Sequence, residues 1–298
     1  NMVRVTVFAL FVILLAGCKE DPPPSGLPLI NFKSGAYTKD GDEVPVGGKL
    51  LFGIAASGGG APITNLRVQR IADDKVITEI DRGLFITEGG LNEDLSAVKS
   101  SAEVELWRFF VMNANRDSAV ISLTVFLGEG SAYGPIKHFT SLKMGMQNNS
   151  ELPHFLDTNT GELYTNQSVA GHEALIDVLG FVYLTGGKMS PTLSCPQYTS
   201  VPGHYPIVGD WTVRNSTLYD YSAVDNDLVN PSDFDNATND SLLVASYNPQ
   251  SASGNCKYCY TGKIVPFRTE AGKYGLIRVI HADEVPEGYM ELEIKVQE

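Results

Sequence analysis

Short β-branched runs, turn dipeptides between them and little helical periodicity predict a mainly β chain of two domains. An antiparallel β-sandwich is expected over 27–128, followed over 137–298 by a larger β-rich domain with some helix and long loops. The clearest sign lies near the end, where Met290, Leu292, Ile294 and Val296 alternate with Glu291, Glu293, Lys295 and Gln297. That alternation predicts a half-buried strand with one wet face.

In chain order, the first feature is a leader. A basic start at Met2-Val3-Arg4 precedes a nearly unbroken apolar run from Val5 to Ala16. Such a run is well short of the roughly 20 residues that span a bilayer as a helix, and it reads as a secretory signal over 1–17. Its exit, Leu15-Ala16-Gly17-Cys18, resembles the lipobox of bacterial lipoproteins. The resemblance implies a diacylglyceryl group on Cys18, cleavage just before it and acylation of the freed amine. Each buried CH₂ adds about 0.8 kcal/mol and stable anchoring takes two membrane signals, which three acyl chains exceed. The competing reading is an ordinary signal that happens to hold a cysteine. Lys19-Glu20-Asp21 resembles the lysine-plus-acid tag of surface-exposed lipoproteins from Bacteroidetes-type bacteria, and a lysine after the cysteine agrees with outer-membrane sorting. Pro22, Pro23 and Pro24 then make 18–26 an anchor with a stiff polyproline spacer.

From Leu27 the strands come quickly. "KLLFGIAAS" ends at "GGGAP", and "ITNLRVQRI" turns through Asp73-Asp74 into "KVITEI". "EVELWRFFVM" puts Trp107, Phe109 and Val111 on one face before "NANRD" turns into "SAVISLTVFL". Only "NEDLSAVKS" offers a helical pattern here. The final hairpin resembles the closing strands of bacterial immunoglobulin-like or PKD-like surface modules. Trp107 is expected to be core. "GEGSAYGPI", 128–136, reads as a linker.

In the second domain a hairpin is expected at "LPHFLDTNTGELYT", a short helix at "SVAGHEA" and a strand at "LIDVLGFVYL". Residues 189–250 are rich in Pro, Ser, Asn and Asp, with a helix at "NDSLLVAS" and otherwise the look of a functional or partner-facing loop. "GKIVPFRTE", "YGLIRVIHA" and "YMELEIKVQ" close the domain as strands. An apolar "ID" strand, a variable middle and a closing "GKYGLI" hairpin resemble the C-terminal half of Bacteroidetes surface proteins. That resemblance is structural and carries no catalytic residues.

With 43% hydrophobic residues the chain is globular, and 22 basic against 35 acidic residues give a net charge of −13. Such a surface repels nucleic acid and anionic headgroups, so the expected membrane contact is the lipid alone. Neither a G-x-S-x-G elbow, a Walker A loop, a dinucleotide fingerprint nor an HExxH is present, and the 5 histidines are scattered.

Four constellations remain. Cys256-Lys257-Tyr258-Cys259 could be a redox pair, part of a Cys₃His zinc set with Cys195 and His204, or a disulfide, within the motif or to Cys195. Asp177 interrupts an apolar strand, on one face with Leu175, Leu179, Phe181 and Tyr183, as a structural anchor or a perturbed acid. The acids Asp220, Asp225, Asp227, Asp233, Asp235 and Asp240 suit either a solvated loop or Ca²⁺, with Asp225, Asp227, Asp233 and Asp235 as its ligands. No other cofactor is expected. The aromatics Trp211, Tyr219, Tyr221 and Phe234 beside them could stack on a sugar, though aromatics in polar loops are common. Asp117-Ser118-Ala119 and Asp240-Ser241-Leu242 resemble short O-glycosylation acceptors.

The expectation is therefore a lipid-anchored outer-membrane protein, exposed at the cell surface. It would bind extracellular protein or glycan without catalysis, as an adhesin-like or scaffold component. The alternative is a glycan-binding accessory lipoprotein of a polysaccharide-utilisation system. A third, enzymatic reading is a hydrolase built on dispersed carboxylates, which leave no local signature.

Overall fold

Trp107, Phe109 and Val111 do share a face, and the strand that carries them lies inside a sheet. The computed structural model describes residues 26–87, 89–220 and 229–298. The signal, Cys18, almost all of the spacer, and Tyr221, Asp225 and Asp227 lie outside the described residues.

Eight strands build the first module. They are β1 (Leu29–Phe32), β2 (Asp42–Val46), β3 (Lys49–Ser57) and β4 (Ile63–Ala72). Then come β5 (Lys75–Ile86), β6 (Leu91–Val98), β7 (Val104–Asn113) and β8 (Ser118–Ser131). A three-stranded sheet in the order β1-β3-β6 packs on a five-stranded sheet in the order β2-β8-β7-β4-β5. This is a β-sandwich, with one departure from the antiparallel expectation: β2 pairs parallel to β8. Phe52 and Phe109 meet at 5.1 Å between ring centroids, and Trp107 lies 4.8 Å from Phe52. Each such ring contributes about 1.5–3 kcal/mol by leaving water.

A charged group closes one end of that core. Glu105 is fully buried and accepts from Ser100 N at 2.8 Å, Ser100 Oγ at 2.5 Å and the Trp107 indole at 3.0 Å. Lys99, equally buried, lies 3.5 Å from it and donates to the Ala102 carbonyl at 2.5 Å. The helix expected over "NEDLSAVKS" is instead β6, an edge strand paired along its length with β3. Tertiary pairing overrides the local pattern there. β8 also runs through the start of the expected linker to Ser131, because β2 pairs with it that far.

The second module begins with β9 (Ile136–Gly145), β10 (Phe155–Leu156), β11 (Leu163–Tyr164), β12 (Val178–Thr185) and β13 (Lys188–Ser194). After β14 (Leu218–Asp220) come two short helices, α1 (Pro231–Asn236) and α2 (Ser241–Ser246). It closes with β15 (Ala252–Ser253), β16 (Asn255–Cys256), β17 (Ile264–Arg268), β18 (Tyr274–Ala282) and β19 (Tyr289–Gln297). One sheet has the order β11-β10-β12-β13-β16 and the other β15-β14-β17-β18-β19-β9. Val178, Val182, Phe267, Ile277 and the even-numbered residues of β19 from Met290 to Val296 fill the space between them.

Both outer faces are covered as well. Residues 198–211 fold as 3₁₀ turns whose Val201, Tyr205, Val208 and Trp211 pack on Phe155, Leu179 and Phe181. On the opposite side α1 and α2 bring Phe234 and Leu243 onto Ile264, Tyr274 and Leu276. The stretch expected to be a partner-facing loop is, over these residues, core. The wet face expected for β19 holds at the partly exposed Glu291, Glu293 and Gln297 and is corrected at Lys295, for the same reason. Lys295 is 3% exposed and caps the carbonyls of Phe234 (2.6 Å) and Ala237 (2.9 Å) at the end of α1.

Candidate functional site

Asp177 is the sequence candidate that opens into a cleft. Its backbone N–H bonds the Leu156 carbonyl at 2.9 Å just before β12 begins, which fixes the residue at the end of that strand. The side chain is buried, and its Oδ2 accepts from Thr158 Oγ1 at 2.5 Å and Thr158 N at 3.2 Å. Burial pushes its pKa up to about 6, aided by the nearby Asp157 charge and held back by the Thr158 bonds. Leu175 does not share its face: it sits in a single 3₁₀ turn, Glu173–Leu175, and is 46% exposed. That turn is all the helix formed at "SVAGHEA".

Three separate loops complete the walls. In the first, Asp157 accepts from Asn159 N at 2.7 Å and Thr160 Oγ1 at 2.8 Å, which curls the β10–β11 connection. Gly161 finishes the curl at φ 74°, where a Cβ would lie 2.6 Å from the Phe139 ring. At the tip, Asn159 Oδ1 accepts from Lys273 Nζ at 2.7 Å and Lys137 Nζ at 3.0 Å. In the second loop, Asn215 donates to the carbonyls of Ala174 (2.9 Å) and Ile176 (3.0 Å). The third supplies Glu270, which accepts from Ser216 N at 2.5 Å. The space enclosed is about 440 Å³. Carboxylate, amide, hydroxyl and ammonium groups line it, a set that can both donate to and accept from a polyhydroxylated ligand. Sequence reading found Asp177 and missed Thr158, Asn159, Asn215, Glu270 and Lys273, whose loops are far apart in the chain and carry no shared signal.

The other sequence candidates lie elsewhere. Trp211 is buried and meets Phe155 edge-on at 5.2 Å, and Tyr219 is fully buried with its hydroxyl donating to the Ser194 carbonyl at 3.0 Å. Phe234 is buried beneath Arg278 and Lys295. The expected aromatic sugar platform is thus corrected for these three: they are core residues. Among the calcium candidates, Asp235 accepts from Arg278 at 2.7 Å, and Asp233 is exposed in the first turn of α1. Asp220 accepts from Ser251 Oγ and Asn248 N, and Asp240 from Gly134 N and Gln297 Nε2. Among the described residues these acids do not converge on a cation site.

Cys256 and Cys259 are buried unbonded thiols whose sulfurs lie 3.2 Å apart. Cys195, also buried, faces Gly254 on the neighbouring chain segment. His204 stacks on Phe181 at 4.0 Å, away from the thiols, and among the described residues no three His, Cys, Asp or Glu side chains gather as a metal site. The Cys₃His zinc set is not assembled.

No protein-family model matches the chain, and no curated protein does. Among solved structures it is similar to the crystal structure of a DUF4466 family protein from Parabacteroides merdae, with 11% identity and a TM-score of 0.38. That likeness covers 92% of this chain and 100% of the other. At such a score it assigns no function to the cleft.

Proposed function

We propose that this chain is a non-catalytic binding protein, held at the outer face of a bacterial outer membrane by acyl groups on Cys18. Its role is adhesin-like or that of a scaffold component, with protein or glycan outside the cell as partner. The observation that carries the reading is the order of parts. A lipobox-like Leu15-Ala16-Gly17-Cys18, the Lys19-Glu20-Asp21 tag and three prolines lead straight to a body whose first strand starts at Leu29. A stiff spacer of this kind lifts a body off a bilayer. The first module's closing β7–β8 hairpin adds the resemblance to immunoglobulin-like or PKD-like display modules. The wild-type chain is expected to take up labelled fatty acid in growing cells and Cys18→Ala to take up none; a wild type without label, or a variant that keeps it, would refute the anchor.

A second reading, glycan capture, is favoured by the polar cleft at Asp177. Its lining offers hydrogen bonds to hydroxyl groups and, with no aromatic ring in it, little stacking. An oligosaccharide array should then show binding that falls at least about tenfold in Lys273→Ala, the loss of one charge-assisted hydrogen bond. Binding that survives this change excludes the cleft, and release of reducing sugar would turn the assignment to a hydrolase.

A further inference from the structure

The cysteine pair is absorbed neither by the cleft nor by the anchor. We propose that Cys256 and Cys259 close into a structural disulfide during export, while Cys195 remains a thiol. The geometry selects this pair among three. The Cys256 and Cys259 sulfurs touch at 3.2 Å, inside the contact distance of two sulfur atoms. Cys195 instead lies across from Gly254, where even an added Cβ would come within 3.1 Å of its sulfur.

The backbone holds the pair there. Tyr258 turns the chain at φ 57°, a left-handed conformation that side chains other than glycine rarely adopt. Three bonds to β13 hold that turn: Tyr258 N to Ser190 Oγ at 2.8 Å, Cys259 N to the Pro191 carbonyl at 2.8 Å, and Tyr260 OH to the Met189 carbonyl at 2.9 Å. None of them involves a sulfur, so the arrangement does not depend on the redox state. Both cysteines are 0% exposed. A bond made before the strands close over it is afterwards out of reach of other thiols, which makes a staple and not a shuttle.

In the closed fold both thiols are fully buried, so the exchange takes place before the strands cover the turn. The oxidant is a disulfide-bearing carrier of the export compartment, or oxidised glutathione in a tube. The thiolate of one cysteine of the pair attacks that disulfide, forms a mixed disulfide and releases one carrier thiolate. The other cysteine then gives up its proton, attacks the sulfur of the first and releases the second carrier thiolate. Two protein thiols thus lose two protons and two electrons, and one carrier disulfide becomes two thiols.

The proposal rests on the export reading only for its oxidant, and purified protein tests it apart from the anchor. The full chain is refolded with oxidised glutathione, alkylated in denaturant without reductant and digested with trypsin. Cleavage after Lys257 leaves Cys256 and Cys259 on separate peptides, so these stay joined only through the new bond. The expected result is a joined pair with Cys195 alkylated, unchanged in Cys195→Ser. Alkylation of both Cys256 and Cys259, or Cys195 joined to either of them, would overturn the assignment. Reduction should raise the unfolded fraction of the wild type on the order of tenfold and leave Cys256→Ser unaffected. A bond that equilibrates with a glutathione buffer in the folded protein would overturn the staple in favour of a redox centre.

Discussion

Asp177 couples the cleft to pH. With its folded pKa at about 6 against an ordinary 3.8, the native state binds more protons than the unfolded chain between those values. Its stabilising contribution is therefore fully present below the lower value and lost as pH rises through the upper one. At 1.36 kcal/mol per pH unit the window corresponds to about 3 kcal/mol. Asp177→Asn keeps an acceptor for Thr158 and removes the titration. It is expected to be more stable than the wild type at pH 7.5, by about 1–3 kcal/mol, and to match it near pH 4. Urea midpoints at the two pH values check this; a variant equally destabilised at both would show that the carboxylate is needed as a charge. Lys295 gives the opposite lesson about a buried ionisable group. Burial lowers its pKa, yet three carbonyls, those of Phe234, Asp235 and Ala237, receive its ammonium protons. A cation satisfied in this way serves packing and needs no external ligand.

At the scale of elements, the layers outside the second sandwich decide what the aromatics do. Trp211 completes a cluster with Phe155 and Phe181. Trp211→Ala should cost about 3–5 kcal/mol in stability by leaving a cavity, and should shift the thermal midpoint downward. Lost ligand binding with unchanged stability would instead return Trp211 to a binding surface. The alternating strands were legible because period two survives wherever one face is dry, as at Trp107, Phe109 and Val111. β12 was legible as a strand but not as a two-sided one. Val178 and Val182 face one core while Leu179 and Phe181 face another, so its apolar run carries no phase. Of the covering layers only the helix at "NDSLLVAS", observed as α2, was legible. Val201, Tyr205, Val208 and Trp211 reach the sheet from 3₁₀ turns with no fixed repeat, and Lys295 reads as a wet position until α1 is known to lie over it. "NEDLSAVKS" misled because its eight-residue strand is held by β3 and not by its own preference. Of the site, only Asp177 stood out, as an acid in an apolar run; its five neighbours depend on loop closure.

Across the whole molecule, two sandwiches follow one another with a short connection over 132–135, and polar bonds join them. Arg268 donates to the Ser96 carbonyl at 2.8 Å and Gln250 to the Val76 carbonyl at 3.3 Å, while Asp240 and Gly134 of the connection exchange a pair of bonds at 2.8 and 3.1 Å. The first module thus stands between the spacer and the module that holds the cleft. The cleft opens beside the junction of the two modules, where Ala271 and Lys273 also line the groove between them. The proposed role at the cell surface depends on the tether. The most direct measurement is mass spectrometry of the N-terminal peptide of the mature chain taken from bacterial membranes. The account predicts a chain beginning at Cys18, with a diacylglyceryl thioether on its sulfur and an acylated amine. An unmodified cysteine at position 18, in a chain recovered from the soluble fraction, would contradict it.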